Sequence, residues 1–332
     1  MNSFGRLFRL SIFGESHGTC VGITIDGCPA GMPLSASDFI ADIDRRRPGA
    51  KGTTARAESD VPAFLSGVFN GKTTGAPLTI TFSNTDTRSA DYAQQRALPR
   101  PGHADWVAHQ KFGGNEDYRG GGHFSGRLTL SLVAAGVVAK KLLTATGINI
   151  SASVTEVGGQ QDTDKGLERA FSKNDTVGGI VSCTATGLPP GLGEPFFDAA
   201  ESLLSHALFA IPAVRGVEFG TGFAAARMLG SEHNDALQDI NGKTATNHSG
   251  GITGGITSGN ELVFRIAIKP TSSTPQPQQT LNVEKGAMEQ LIVAGRHDRC
   301  IALRVPVIAE AMTAVTLTDL MMLEQRIPRI FN

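Results

Sequence analysis

Six stretches of this chain place apolar residues at every second position, and that period constrains the fold more than any other feature. They are Leu7–Ile12, Val21–Ile25, Leu78–Phe82, Ile180–Thr186, Val217–Phe219 and Glu261–Ile268. Successive side chains of a strand point to opposite faces, so such a run buries one face and leaves the other polar. Strands of parallel sheets are covered on both faces and show continuous apolar runs instead. The alternation therefore predicts antiparallel sheets, with turns at Asp26–Gly27 and Ser258–Gly259–Asn260.

Helical periods are interspersed with these strands. Ser35 opens an S-x-x-D capping box with Asp38, and Phe39, Ile40 and Ile43 follow on one face. That helix must stop near Pro48, which leaves Arg45, Arg46 and Arg47 in its last turn. A second helix runs from about Ser125 through Leu132, Val133, Val137 and Leu142 to Gly147, and its Ala134, Ala135 and Gly136 predict close contact with another helix. Further helices are expected over Asp198–Leu208, Glu284–Val293 and from Pro306 onward, where proline suits a first turn. With no linker, repeat or low-complexity segment, these periods predict one α+β domain spanning residues 1–332.

Charge narrows the range of functions. Thirty basic side chains oppose 31 acidic ones, for a net charge of −1, so no bulk field draws the chain to nucleic acid or to an anionic membrane. Attraction for anions must be local. The N-terminus lacks the apolar core of a signal peptide, and the longest apolar stretch, Leu130 to Val138, is far too short to span a bilayer. Cys20, Cys28, Cys183 and Cys300 form no CxxC pair, which predicts reduced thiols in a cytoplasmic protein. Glycine supplies 40 of the 332 residues, and its clusters mark loops where the backbone turns left-handed or approaches a ligand.

Five of these clusters carry residues with chemistry. Gly14-Glu15-Ser16-His17-Gly18 matches G-x-S-x-G, the nucleophile elbow of serine hydrolases. An elbow needs a helix after the turn, whereas here a second strand follows, so a strand–loop–strand unit presenting His17 is expected. Arg45-Arg46-Arg47, followed by Lys51 and Arg56, puts more positive charge at one helix end than the macrodipole accounts for. A multiply charged anion is the natural partner, because the guanidinium fork suits phosphate and carboxylate oxygens. Arg100-Pro101-Gly102-His103-Ala104-Asp105 frames a histidine between a cation and a carboxylate, an arrangement that tunes a proton donor. In Asp117-Tyr118-Arg119-Gly120-Gly121-Gly122-His123-Phe124-Ser125-Gly126-Arg127, a glycine loop opens a helix and offers backbone N–H groups to phosphate. C-terminal to these stand Asn247-His248-Ser249-Gly250-Gly251, Lys269-Pro270-Thr271-Ser272-Ser273 and Arg296-His297-Asp298. No His/Glu pair stands at helical spacing, so no catalytic metal is expected.

Taken in order, GESHG, DIDRRRPG, LSGVFNGKTTGAP, RPGHAD, DYRGGG, GLGEPFFD, NHSGGITGGITSG, KPTSS and GRHD with VPVIAEAM resemble the chorismate synthase family over roughly residues 4 to 325. The resemblance implies helices sandwiched between antiparallel sheets and a homotetramer. It implies loss of phosphate from 5-enolpyruvylshikimate 3-phosphate by an anti-1,4-elimination, with reduced FMN required although the reaction is redox-neutral. It further implies that His17 protonates the departing phosphate and that His103 adjusts the flavin's protonation. Asp298 would relay the ring proton by way of the flavin. Arg46, Lys51, Arg100, Arg127 and Arg296 would hold the substrate's anions. His123, Phe124, Ser125, Pro212, Ala213, Gly254, Lys269, Pro270, Thr271, Ser272, Ser273 and Arg296 would hold FMN. Lacking a dinucleotide-binding βαβ segment, the chain is expected to receive reduced FMN from an external reductant. It departs from many members at His123 and Leu128, where they carry arginine and glutamate, at Pro212, often asparagine, and at Lys51, often arginine.

Overall fold

The structure is a computed structural model that describes residues 2–49, 51–54, 58–86, 96–293 and 297–331. Its two main sheets are antiparallel throughout, as the period-2 runs require. One has five strands in the order Ser3–Phe4, Arg9–Gly14, Cys20–Asp26, Leu78–Ser83, Ala63–Ser66, and the other has four, in the order Val214–Phe219, Leu262–Ile268, Gly179–Thr186, Asn149–Val157. The inward faces carry Val21, Ile23, Ile25, Leu78, Ile80 and Phe82 in the first sheet, and Val181, Cys183, Leu262, Phe264 and Ile266 in the second, all buried.

The α-helices, in chain order, are α1 Ile40–Arg46, α2 Asp105–Phe112, α3 Thr129–Thr144, α4 Thr163–Ser172, α5 Ala200–Phe209, α6 Gly230–His233 and α7 Pro306–Leu323. Helices α3 and α7 pack side by side between the sheets, with α3 against Cys20–Asp26 and α7 against Asn149–Val157 and Gly179–Thr186. This is the α+β sandwich. Although α7 is long and apolar enough to cross a membrane, 83% of it is buried inside the protein.

The small residues of α3 serve the contact foreseen for them. A Cβ built on Gly136 would lie 2.2 Å from Ala311 Cβ and 2.5 Å from Ala311 Cα, on α7. Gly136→Ala must therefore push the two helices apart, which offsets alanine's better helix propensity. We expect a loss of about 1–3 kcal/mol, measured by denaturant unfolding.

Two expectations fail. Glu284–Val293 is not a helix but the turn and second strand of a hairpin pairing Gln278–Asn282 with Ala287–Leu291. The Asn282 side chain accepts from the Glu284 and Lys285 N–H groups, and Gly286 takes φ +66, so local turn chemistry overrides the helical period. Lys285 and Glu289, paired at 2.8 Å, look like a helical i,i+4 pair but link the turn to the strand that follows it. Ile40 does not join Phe39 and Ile43 in the core; it is 56% exposed.

Candidate active site

A cavity of about 680 Å³ opens between the five-stranded sheet, the N-terminal end of α3 and the loops after the four-stranded sheet. Its deepest charge is cationic. The 40–46 helix ends as Pro48 dictates, and only the middle arginine of its triplet turns inward. Arg46 is 3% exposed, and its Nε donates to Thr129 Oγ1 at 3.0 Å and its Nη2 to the Gly126 carbonyl at 3.1 Å. Arg45 instead grips Glu310 through both terminal nitrogens at 2.7 and 2.6 Å, and Arg47 pairs with Asp44. Arg127, 6% exposed, donates to Asn84 at 3.0 Å and to Asp60, which also lies 3.7 Å from Arg46. Arg304 adds a third guanidinium, bonded to the Arg46 carbonyl at 2.8 Å and to Asp298 at 3.1 Å.

Burial first, then the charges of Arg304 and Arg127, push the Arg46 guanidinium well below its ordinary value, with Asp60 opposing them. A guanidinium does not give up its proton in a protein. The shift therefore reflects burial first and crowding by like charge second, and a cavity that gathers three guanidiniums about Asp60 and Asp298 favours an anion.

The triglycine turn positions two histidines. Gly120, Gly121 and Gly122 take φ of +60, +79 and +53, which only glycine adopts in succession without strain. A Cβ on Gly120 would sit 2.5 Å from the His17 ring, and one on Gly121 would sit 3.3 Å from the His103 ring. His17, 9% exposed, is not part of the cavity lining but lies against Gly120, which is. Its neighbour Ser16 is fully buried, and its N–H donates to the Gly122 carbonyl at 3.1 Å, between strands Arg9–Gly14 and Cys20–Asp26. The strand–loop–strand unit is thus present, and the helix a nucleophile elbow needs is absent there.

His103 lines the cavity, and its Nδ1 lies 2.6 Å from Asp105 Oδ1. Arg100 brackets the same carboxylate, with Nε 2.7 Å from Oδ2 and Nη2 2.8 Å from Oδ1, while Nη1 reaches Ser273 Oγ at 3.0 Å. Burial opposes ionisation of Asp105, but the hydrogen bonds from Arg100 and His103 prevail and hold it well below the usual carboxylate range. An anionic Asp105 keeps the imidazole proton on Nδ1 and fixes the ring.

Lys269, Pro270, Thr271, Ser272 and Ser273 form a wall of the cavity, and Lys269 Nζ donates to the Gly102 carbonyl at 2.7 Å. Burial and the nearby Arg215 charge lower the Lys269 pKa. Thr271 Oγ1 is a buried hydroxyl with no hydrogen-bond partner among the described residues. Opposite stand Pro212 and Ala213; Ala213 holds φ +74 at a turn position that favours glycine. His123, Phe124 and Ser125 complete this side.

A family model described as chorismate synthase matches residues 8–322. The chain belongs to the chorismate synthase family. A chorismate synthase from Chitinophaga pinensis is 63% identical over 332 residues, covering all of both chains. One from Korarchaeum cryptofilum is 45% identical over 353 aligned residues, covering 97% of this chain and 98% of its own. A crystal structure of a chorismate synthase aligns with TM-score 0.74 and 25% identity, over 96% of this chain and 93% of that one. Chorismate synthases are carbon–oxygen lyases of the shikimate pathway that convert 5-enolpyruvylshikimate 3-phosphate to chorismate and phosphate, and this chain is a member of that enzyme class.

Among the chorismate synthase positions foreseen from sequence, the cavity brings together Arg46, Arg100, His103, His123, Phe124, Ser125, Arg127, Pro212, Ala213, Lys269 to Ser273 and Asp298. Lys51 lies elsewhere, with Nζ 3.9 Å from Asp164 on α4 and over the Phe171 ring. Gly254 tops a two-stranded hairpin away from the cavity lining, and Arg296 lies outside the described residues. Two of the four departures from the family pattern, His123 and Leu128, are self-consistent. His123 Nδ1 bonds the Gly14 carbonyl at 2.8 Å, and Leu128, 5% exposed, joins the core, so neither leaves a buried charge unpaired. Sequence reasoning missed Asp60, His206 and Arg304, which line the same cavity; none belongs to a turn or glycine motif that could have announced it.

Proposed function

We propose that this cavity takes the enolpyruvyl phosphate substrate together with reduced FMN and eliminates phosphate to give chorismate. The observation that carries the reading is the buried cationic set Arg46, Arg127 and Arg100 in the cavity lining, whose positive charge matches a phosphate bearing two carboxylates nearby. The remaining wall fits a flavin. Leu10, Ile12, Leu128, Leu132, Ala213 and Met312 supply apolar surface, and the Thr271 hydroxyl, unpaired among the described residues, lines the same cavity as Lys269 to meet polar atoms. His123, Phe124, Ser125 and Pro212 would complete that binding surface. When bound, reduced FMN supplies the electron-rich ring that the redox-neutral elimination requires.

In the elimination a ring C–H bond and the C–O bond to phosphate both break. The C–H electron pair enters the ring, the existing double bond shifts, and the C–O pair leaves with phosphate. Arg46, Arg127 and Arg100 hold the anions and take up the charge that grows on the leaving group. His17, against Gly120, gives a proton to the departing phosphate. Asp298 accepts the proton leaving the ring. His103, fixed by Asp105, holds a proton at the flavin side.

Several features support the rest of the reading. Exposed Phe196, Phe197, Phe223 and Ile240, from 81% to 102% accessible, support assembly into a homotetramer. The continuous hydrophobic cluster spanning both sheets supports one catalytic domain. Four free cysteines support a cytoplasmic setting, and the wholly antiparallel main sheets support an external source of reduced FMN.

The test is an anaerobic assay with dithionite-reduced FMN and the enolpyruvyl substrate. Wild type should form chorismate, and His17→Ala and His103→Ala should each lower kcat by about 10²–10⁴-fold while calorimetry still detects substrate binding. Folded wild-type protein that binds flavin and yields no product defeats the proposal.

A further inference from the structure

Asp298 is held from two directions. Its Oδ1 accepts from the Thr54 N–H at 2.8 Å, and its Oδ2 accepts from Arg304 Nη1 at 3.1 Å. Arg304 ends the short 3-10 turn Ile301–Arg304 that leads into α7. Its Nε donates at 2.8 Å to the Arg46 carbonyl, at the end of α1. One rigid guanidinium thus joins the carboxylate to the helix end that carries Arg46. The surrounding backbone is tied the same way, since the Arg299 and Cys300 N–H groups both reach the Gly52 carbonyl, at 2.8 and 3.2 Å. Both partners of the pair are mostly buried, with side chains 18% and 13% exposed, so water screens the interaction only weakly. Bonds from Nε and Nη1 fix the plane of the fork, which a lysine ammonium cannot do.

We infer that Arg304 is a positioning residue: it orients the Asp298 carboxylate toward the cavity, where the substrate's ring proton arrives. This rests on the reading of Asp298 as the proton acceptor. The transfer itself is simple: the C–H bond breaks, the proton passes to the carboxylate, and the electron pair stays in the ring. Arg304 touches no reacting atom. Its effect runs through Asp298, and it must therefore vanish when Asp298 can no longer accept a proton.

The experiment is a double-mutant cycle on the full-length, FMN-loaded enzyme under the anaerobic conditions above, with kcat and KM from turnover and substrate Kd from calorimetry. Arg304→Gln should lower kcat by about 30- to 100-fold while KM and Kd stay within about threefold. Arg304→Lys, which keeps the charge and loses the two-point geometry, should recover about tenfold of that loss. In an Asp298→Asn background, Arg304→Gln should change residual turnover by less than about threefold, because the two act as a unit. If Arg304→Gln misfolds by circular dichroism, Arg304→Lys alone decides, with a kcat about three- to tenfold below wild type at unchanged KM as the supporting result. An Arg304→Gln enzyme with unaltered kcat and a KM raised tenfold or more would make Arg304 a direct anion ligand and overturn the inference. Fully additive losses in the cycle overturn it as well. Wild-type enzyme without turnover removes the underlying reading, whereas an active wild type with either of those results removes this inference alone.

Discussion

Asp60→Asn is expected to destabilise the ligand-free protein by about 3–5 kcal/mol, the range for removing one partner of a buried ion pair. Asp60 is 4% exposed and is the carboxylate that both Arg127 and Arg46 lean on. Without its charge two buried guanidiniums face each other, and the charge of Arg127 already disfavours that of Arg46. Asparagine is the informative replacement. Asp60 holds φ +50, a left-handed backbone that asparagine tolerates as well as aspartate, so the substitution alters charge without adding strain. A bound anion would replace the missing negative charge. Inorganic phosphate or substrate should therefore raise the melting temperature of Asp60→Asn more than that of wild type, by mass action on the folded state. Thermal melts with and without ligand check this. A variant as stable as wild type, or one to which ligand adds no extra stability, would mean that Asp60 does not balance the arginine cluster.

The same residue shows where sequence reading stops. The antiparallel sheets were legible because burial of one strand face leaves a period-2 signature, as in the Leu262–Ile268 strand with Leu262, Phe264, Ile266 and Ile268 inside. The central helix pair was legible because only small residues allow the approach made at Gly136. The strand Asn149–Val157 was missed because only two large apolar residues, Ile150 and Val154, on either side of small Ala152, mark the first part of its inward face. The triglycine turn was legible because left-handed backbone requires glycine and glycine clusters are visible, but its contacts with His17 and His103 emerged only from the fold. Asp60 and Arg304 are single charged residues whose roles arise when distant segments meet, and no local pattern encodes that. Lys51 failed in the opposite sense. It follows the arginine triplet closely in sequence, but the chain turns at Gly49 and Gly52, with φ +152 and +93, and carries the side chain to Asp164.

Replacing Asp105 by asparagine should lower kcat by about 100-fold or more, since a misoriented proton donor forfeits most of a general acid's contribution. The carboxylate accepts at both oxygens, from Arg100 Nε and N–H at Oδ2 and from Arg100 Nη2 and His103 Nδ1 at Oδ1. An amide accepts at one end only. Whichever way it turns, its NH₂ group meets a donor, so either the Arg100 fork or the His103 ring is released. FMN affinity, followed by fluorescence titration, should change little, because Asp105 itself is not part of the cavity lining. Stability offers an independent readout. The folded-state pKa of Asp105 is depressed, so its contribution is fully present above the unfolded value, about 3.9, and is lost as pH falls through the lower folded value. The stability gap between wild type and Asp105→Asn should therefore be constant near neutral pH and narrow only below about pH 4, as denaturant unfolding at pH 7 and pH 3 can measure. A kcat within threefold of wild type would mean that His103 keeps its orientation without Asp105, and a gap that narrows already at pH 6 would place the responsible titration on another group.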